Sequence, residues 1–145
     1  MTSIVQRDYI MRMIEQMGMI LIRLREIILK RTVAPALVRQ ELESVLQGVG
    51  FDLSLAKLAD AATLEQMVAP TGELEPARGW LVAETLYLDG LESALDDRPE
   101  EARLSFDKAL RLYGLLAPDA VLPSGFPEAN DRIAEIRRRV EALKN

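Results

Sequence analysis

The chain has 145 residues, 49% apolar and 28% charged, with 18 Lys and Arg against 23 Asp and Glu for a net charge of −5. That length and apolar content fit one domain able to bury its own core, and they exclude intrinsic disorder. Cysteine and histidine are both absent, which removes disulfide scaffolds, thiolate nucleophiles, metal sites built on Cys or His, and His-based triads.

Apolar spacing is helical almost throughout, without convincing period-two alternation. A first helix is predicted from about Ile4 to Lys30, with Ile10, Ile14, Met17, Leu21, Leu24 and Ile28 on one seam and Met13, Ile20 and Ile27 beside it. Met11, Met19, Ile22 and Leu29 lie off that seam, so the apolar stripe is wider than a single neighbour covers. Pro35 closes the segment, because the residue before a proline resists helical geometry. A second helix starts at Pro35 or Ala36 and runs to about Gln47, with Val38, Leu42, Val45 and Leu46 on its apolar face and Gly48-Val49-Gly50 as its stop.

Asp52 is a good N-cap for a short helix carrying Leu53, Leu55, Ala56 and Leu58, and Thr63 reads as the cap of another turn or two ending at Val68. Ala69-Pro70-Thr71-Gly72 is a break. Pro76 then suits the first turn of a long helix through Trp80 and Leu86 to Leu95. Asp96-Asp97-Arg98 is a tight connection, and Pro99 opens a helix to Leu116. Three prolines and Gly125 make residues 117–127 a loop before a last helix from about Pro127 to Leu143. The expected fold is a single all-α domain of antiparallel helical hairpins, with N-terminal helices over 1–68 and a second half over 73–145.

Within that second half, Gly90 stands where two crossing helices need a small residue, Ala102 follows twelve positions later, and Phe106 and Ala109 come after it. Close helix crossings require Gly or Ala at the contact, and an aromatic ring fills the wedge beside them. On these residues, 83–116 resembles a tetratricopeptide repeat, whose unit is a 34-residue helix pair. Leu86, Asp89, Ser93 and Gly114 depart from the pattern, and no second clean copy is present. The resemblance implies a short, degenerate repeat-like array with the final helix as a cap and a groove on one side. Glu84, Tyr87, Leu91 and Leu95 would line that groove, or Tyr87 and Leu91 would belong to the core. The run Gln6 to Met17 is similar to the opening of an uncharacterised group of small all-helical bacterial proteins, and that resemblance implies no activity.

Charge is uneven. Residues 44–101 hold twelve acidic and three basic groups, whereas the flanks are each slightly basic. A nucleic-acid footprint needs clustered Lys and Arg, and the one basic run, Arg137-Arg138-Arg139, is interleaved with Glu135 and Glu141 as a solvated helix face. Arg12, Glu15, Arg23, Arg25 and Glu26 interrupt the most apolar stretch, so membrane insertion is not expected. The start carries charge where a secretory signal needs an apolar run, and the expected compartment is the cytoplasm. Glu92, Asp96, Asp97, Glu100 and Glu101 form the one dense carboxylate cluster. Turn geometry and the positive end of a helix explain them without chemistry. No catalytic residue, cofactor or metal site is therefore expected.

Met11, Met17, Met19, Leu21 and Ile22 are the candidates for self-association, methionines making an adaptable surface. The expected function is a non-catalytic protein–protein interaction or scaffold module, homodimeric because the first helix asks for more cover than one hairpin gives. A peptide or small-ligand sensor using a helical groove is the alternative, and a carboxylate-based enzyme a distant one.

Overall fold

The computed structural model describes residues 4–69, 72, 75–116, 122, 123 and 125–143, with residues 4–7 as backbone only. Pro70 and Thr71 of the expected break, and residues 117–121 and 124 of the expected loop, lie outside the described residues. Among the described residues there are seven helices and no strand: α1 Ile4–Lys30, α2 Pro35–Gly48, α3 Leu53–Leu58, α4 Ala61–Val68, α5 Pro76–Leu95, α6 Pro99–Leu116 and α7 Ala129–Leu143. The all-α expectation holds.

Helix ends follow from local chemistry. Asp52 caps α3 by accepting from the Leu55 N–H at 3.0 Å. At α4 the cap is Asp60 rather than Thr63. The Asp60 carboxylate accepts from the Thr63 N–H at 2.7 Å, so Thr63 is the third helical residue, and the bond pulls the Asp60 pKa down. The start of α7 also differs from the sequence expectation: it begins at Ala129, with the Pro127 carbonyl turned to accept from the Trp80 indole at 3.2 Å.

Three helices close with the same paired bonds. After α1, Arg31 N–H reaches the Ile28 carbonyl and Thr32 N–H reaches that of Ile27; Gly50 with Phe51 and Asp97 with Arg98 repeat the pattern after α2 and α5. This geometry needs a left-handed residue, and Arg31, Gly50 and Asp97 all have positive φ, at 54°, 87° and 58°.

Helix α5 is the hub. Every residue from Gly79 to Ser93 is buried, because α1 and α2 lie against it on one side, α6 runs beside it, and α7 packs on α6 and α5. The α5–α6 hairpin is antiparallel, as its facing pairs show: Glu84 with Tyr113, Asp89 with Ser105, and Gly90 with Phe106. On α1, Ile14, Leu21, Leu24 and Ile28 enter the core, matching the predicted seam. Gly18 also belongs to that packing. A Cβ there would overlap the ring of Phe126, which lies 4.4 Å from Trp80 between centroids.

Candidate functional site

The buried stretch of α5 carries Glu84, Thr85, Asp89, Glu92 and Ser93. Burying a charged or hydrogen-bonding group is costly unless it finds partners. Thr85 donates its hydroxyl to the Leu81 carbonyl at 2.7 Å. Asp89 accepts from Ser105 at 2.8 Å and pairs with Lys57 of α3 at 3.1 Å. Glu84 is fully buried and accepts from Arg132 of α7 through Nε at 2.9 and 3.0 Å and Nη2 at 2.8 Å, and also from the Tyr113 hydroxyl. The fork of a guanidinium matches both carboxylate oxygens at once.

A second carboxylate extends this junction. Glu135 accepts from Arg25 of α1 at 2.7 and 3.3 Å and from the Tyr87 hydroxyl, and it lies 3.5 Å from Arg132. Arg132 also sits over the Tyr87 ring, 5.7 Å from its centroid. Together these contacts join α1, α5, α6 and α7.

The shared environment moves the titrating groups apart. Burial pushes the Tyr87 phenol up, and the bond to Glu135 adds to it, reaching about 12. Burial likewise raises Tyr113, beside the Glu84 charge. For Glu135, burial alone would raise the carboxyl, but the bonds from Tyr87 and Arg25 outweigh it and hold the group low. Burial would lower the Arg132 guanidinium, yet its bonds to Glu84 keep it firmly charged.

The groove expected on α5 is core instead. Glu84, Tyr87 and Leu91 are each 0% exposed, because α1, α2 and the Arg132–Glu135 turn of α7 occupy the space beside them. Leu95 is half-buried and lines a cleft at the end of α5. The small and aromatic positions meet as their spacing suggests: Gly90, Ala102, Phe106 and Ala109 are all buried, and a Cβ on Gly90 would lie 2.6 Å from Phe106 and 3.2 Å from the Ala102 carbonyl. Of the α1 residues read as a self-association set, Leu21 is core, Met11, Met17 and Ile22 are half-buried against it, and Met19 is exposed. Leu21 is therefore unavailable to a second copy, since the seam that bears it faces α5.

Sequence reading missed Arg132 and Glu135 as structural partners. The signal was present in Arg132, Ile136 and Val140, which recur every four residues and so put a guanidinium on the apolar side of α7. It also missed the leucines of α3 and α6. Leu55, Leu58 and Leu104 are 61%, 83% and 62% exposed. Lys108 ties the two helices together by donating to the Ala56 carbonyl at 3.3 Å. Beside it lies an open depression of about 600 Å³ bordered by Leu104, Leu110, Asp60, Asp107, Lys108 and Arg111.

The cluster at the α5–α6 turn is a local ion-pair set, Arg98 reaching Asp96 at 3.2 Å and Glu101 at 2.6 Å. Among the described residues no group of three or more Asp or Glu converges as a metal site, and no helix is long and apolar enough to cross a membrane. Comparison with protein-family models, with curated proteins and with solved structures yields no match.

Proposed function

We propose that the protein is a non-catalytic interaction or scaffold module of the cytoplasm that associates with a second copy of itself. The observation that carries this reading is the exposed leucine face where α3 meets α6. Leu104 exposes most of its surface at the edge of an open depression, and Leu58 most of its surface on the adjoining α3, whereas the Glu84–Arg132–Tyr113 cluster is buried in the core. Apolar patches with a polar rim mark contact surfaces. The rim also carries both signs, Asp60 and Asp107 beside Lys108 and Arg111. A two-fold interface sets a patch against itself, so a rim of mixed sign is self-complementary there. In this reading α5–α6 is a tetratricopeptide-like unit, α7 its cap, and α3 with α6 the binding side.

Sedimentation velocity at low and high concentration tests the proposal. A dimer is expected that the double substitution Leu58→Glu, Leu104→Glu converts to a folded monomer. A parent chain that stays monomeric at both concentrations overturns it.

A further inference from the structure

Glu92 differs from the other buried carboxylates of α5. It is 8% exposed, yet among the described residues it has neither a hydrogen bond nor an ion pair. Glu84 and Asp89, about two turns and one turn earlier on the same helix, are both fully engaged. Glu92 opens instead on a cleft of about 300 Å³ between the α1–α2 connection and the end of α5. The cleft exists because α1 stops at a left-handed Arg31 and α2 restarts at Pro35, leaving extended backbone to bridge over α5. Ile28, Val33, Pro35 and Leu95 give it apolar walls, and Asp96 stands at its side.

We infer that this cleft is a binding site for an alkylammonium group, its methylene stem against Ile28, Val33, Pro35 and Leu95 and its charged end on Glu92. A deep carboxylate under apolar walls suits a cation on a flexible apolar stem, since such a stem stays in contact with apolar surface while its head finds a polar partner. The wall chemistry argues against a bare metal ion, as do the single deep carboxylate and the lack of a converging carboxylate triad among the described residues. Arg31 also lines the cleft, but its guanidinium is engaged, donating to the Leu95 carbonyl at 2.8 Å, and Arg98 is held by Asp96 and Glu101. Burial and the Asp96 charge raise the Glu92 carboxyl, while Arg39, Arg98 and Arg31 act on it from a distance in the opposite sense. Those three cations keep the affinity for a single ammonium modest; the site fails at low pH, when Glu92 takes up a proton, and the raised Glu92 carboxyl brings that loss on at a higher pH than for a free carboxylate. The ammonium is either a lysine side chain of another protein or a free aliphatic amine. This inference does not rest on the self-association reading, which concerns the opposite helices α3 and α6.

The test is a titration of the full chain followed by amide and methyl NMR, with n-pentylamine, n-pentanol, Nα-acetyl-lysine methylamide and its Nε-acetylated form as probes. Both amines are expected to give saturable shifts confined to residues 28–35 and 92–96, and neither n-pentanol nor the Nε-acetylated lysine to do so. Tighter binding of the lysine amide assigns the site to a protein side chain, and tighter binding of n-pentylamine to a free amine. Glu92→Gln, which keeps the shape, is expected to weaken binding about tenfold with an unchanged helical circular dichroism signal. Absence of saturable shifts with both amines overturns the inference, as does equal binding of n-pentanol, a selectivity measured on the unaltered chain. Undiminished binding to a folded Glu92→Gln chain overturns it too.

Discussion

Two contacts hold α5 in place, and they work by different physics. At Gly90 the helix meets α6 by shape: no Cβ, a phenyl ring 5.8 Å from the Tyr87 ring, and the Ala102 backbone close behind. Two turns earlier, at Glu84, it meets α7 by charge, with a fully buried carboxylate gripped by Arg132. A packing contact degrades gradually, since neighbours shift by fractions of an ångström. A buried ion pair does not, because removing one partner strands the other in a medium that cannot solvate it.

The largest expected effect comes from breaking the charged contact on one side. Arg132→Met leaves Glu84 buried with only the Tyr113 hydroxyl, and the expected loss is about 3–5 kcal/mol. That is a large share of the stability of a typical domain. Adding Glu84→Gln to the same chain removes the stranded charge and is expected to restore most of the loss. Urea unfolding of the two variants measures the difference. Equal stability of the single and double variants would show that the junction is held by packing and not by charge.

How much of this was readable beforehand divides along the same line. The shape contact was legible, because Gly90, Ala102, Phe106 and Ala109 are close in sequence and their spacing is a direct record of one hairpin. Helix content was legible for a similar reason, as the three-to-four spacing of Ile14, Leu21, Leu24 and Ile28 reports a local face. The charged contact joins residues 48 positions apart for Glu84 and Arg132, and 110 apart for Arg25 and Glu135. No local pattern encodes which buried base meets which buried acid. That is also why Glu84, Tyr87 and Leu91 look like a groove in the sequence: the helices that cover them come from both ends of the chain. Thr63 looked like a cap because both it and Asp60 are good capping residues, and only the backbone bond distinguishes them.

A second, smaller effect separates the two contacts by pH. Tyr87 bridges them, its ring beside Phe106 and its hydroxyl on Glu135. Its pKa is raised from 10 to about 12 in the folded chain. The unfolded chain therefore releases that proton first, and stability that is whole below pH 10 is lost as the pH rises toward 12. Glu135 has the opposite sign. Its carboxyl is lowered from 4.5 in the folded chain, so its contribution is present above that value and is lost as the pH falls through the folded pKa. Tyr87→Phe keeps the ring and removes the hydroxyl. It is expected to cost about 1.5–3 kcal/mol near neutral pH, as for hydrogen bonds to a charged group. It should also flatten both limbs of the stability profile, with Tyr113 left to account for the remaining alkaline loss. Thermal unfolding across the pH range checks this, and unchanged limbs would place the pH dependence elsewhere.

The mildest change tests the contact built on shape. Gly90→Ala adds one methyl group 2.6 Å from the Phe106 ring and 3.2 Å from the Ala102 carbonyl. The ring can give way more readily than the backbone, but it is fully buried between α5 and α6, so the space has to come from repacking. Overpacking of this kind costs about 1–3 kcal/mol, offset by roughly 1 kcal/mol because alanine favours a helix interior over glycine. A net loss of about 1 kcal/mol is therefore expected in urea unfolding. Combining Gly90→Ala with Phe106→Leu distinguishes shape from simple loss of volume. If the two residues compete for one space, the double variant is more stable than the sum of the single losses requires, a coupling that neighbours in contact characteristically show. Strict additivity would mean that α5 and α6 are not wedged at Gly90, and that the charged junction alone sets the position of the central helix.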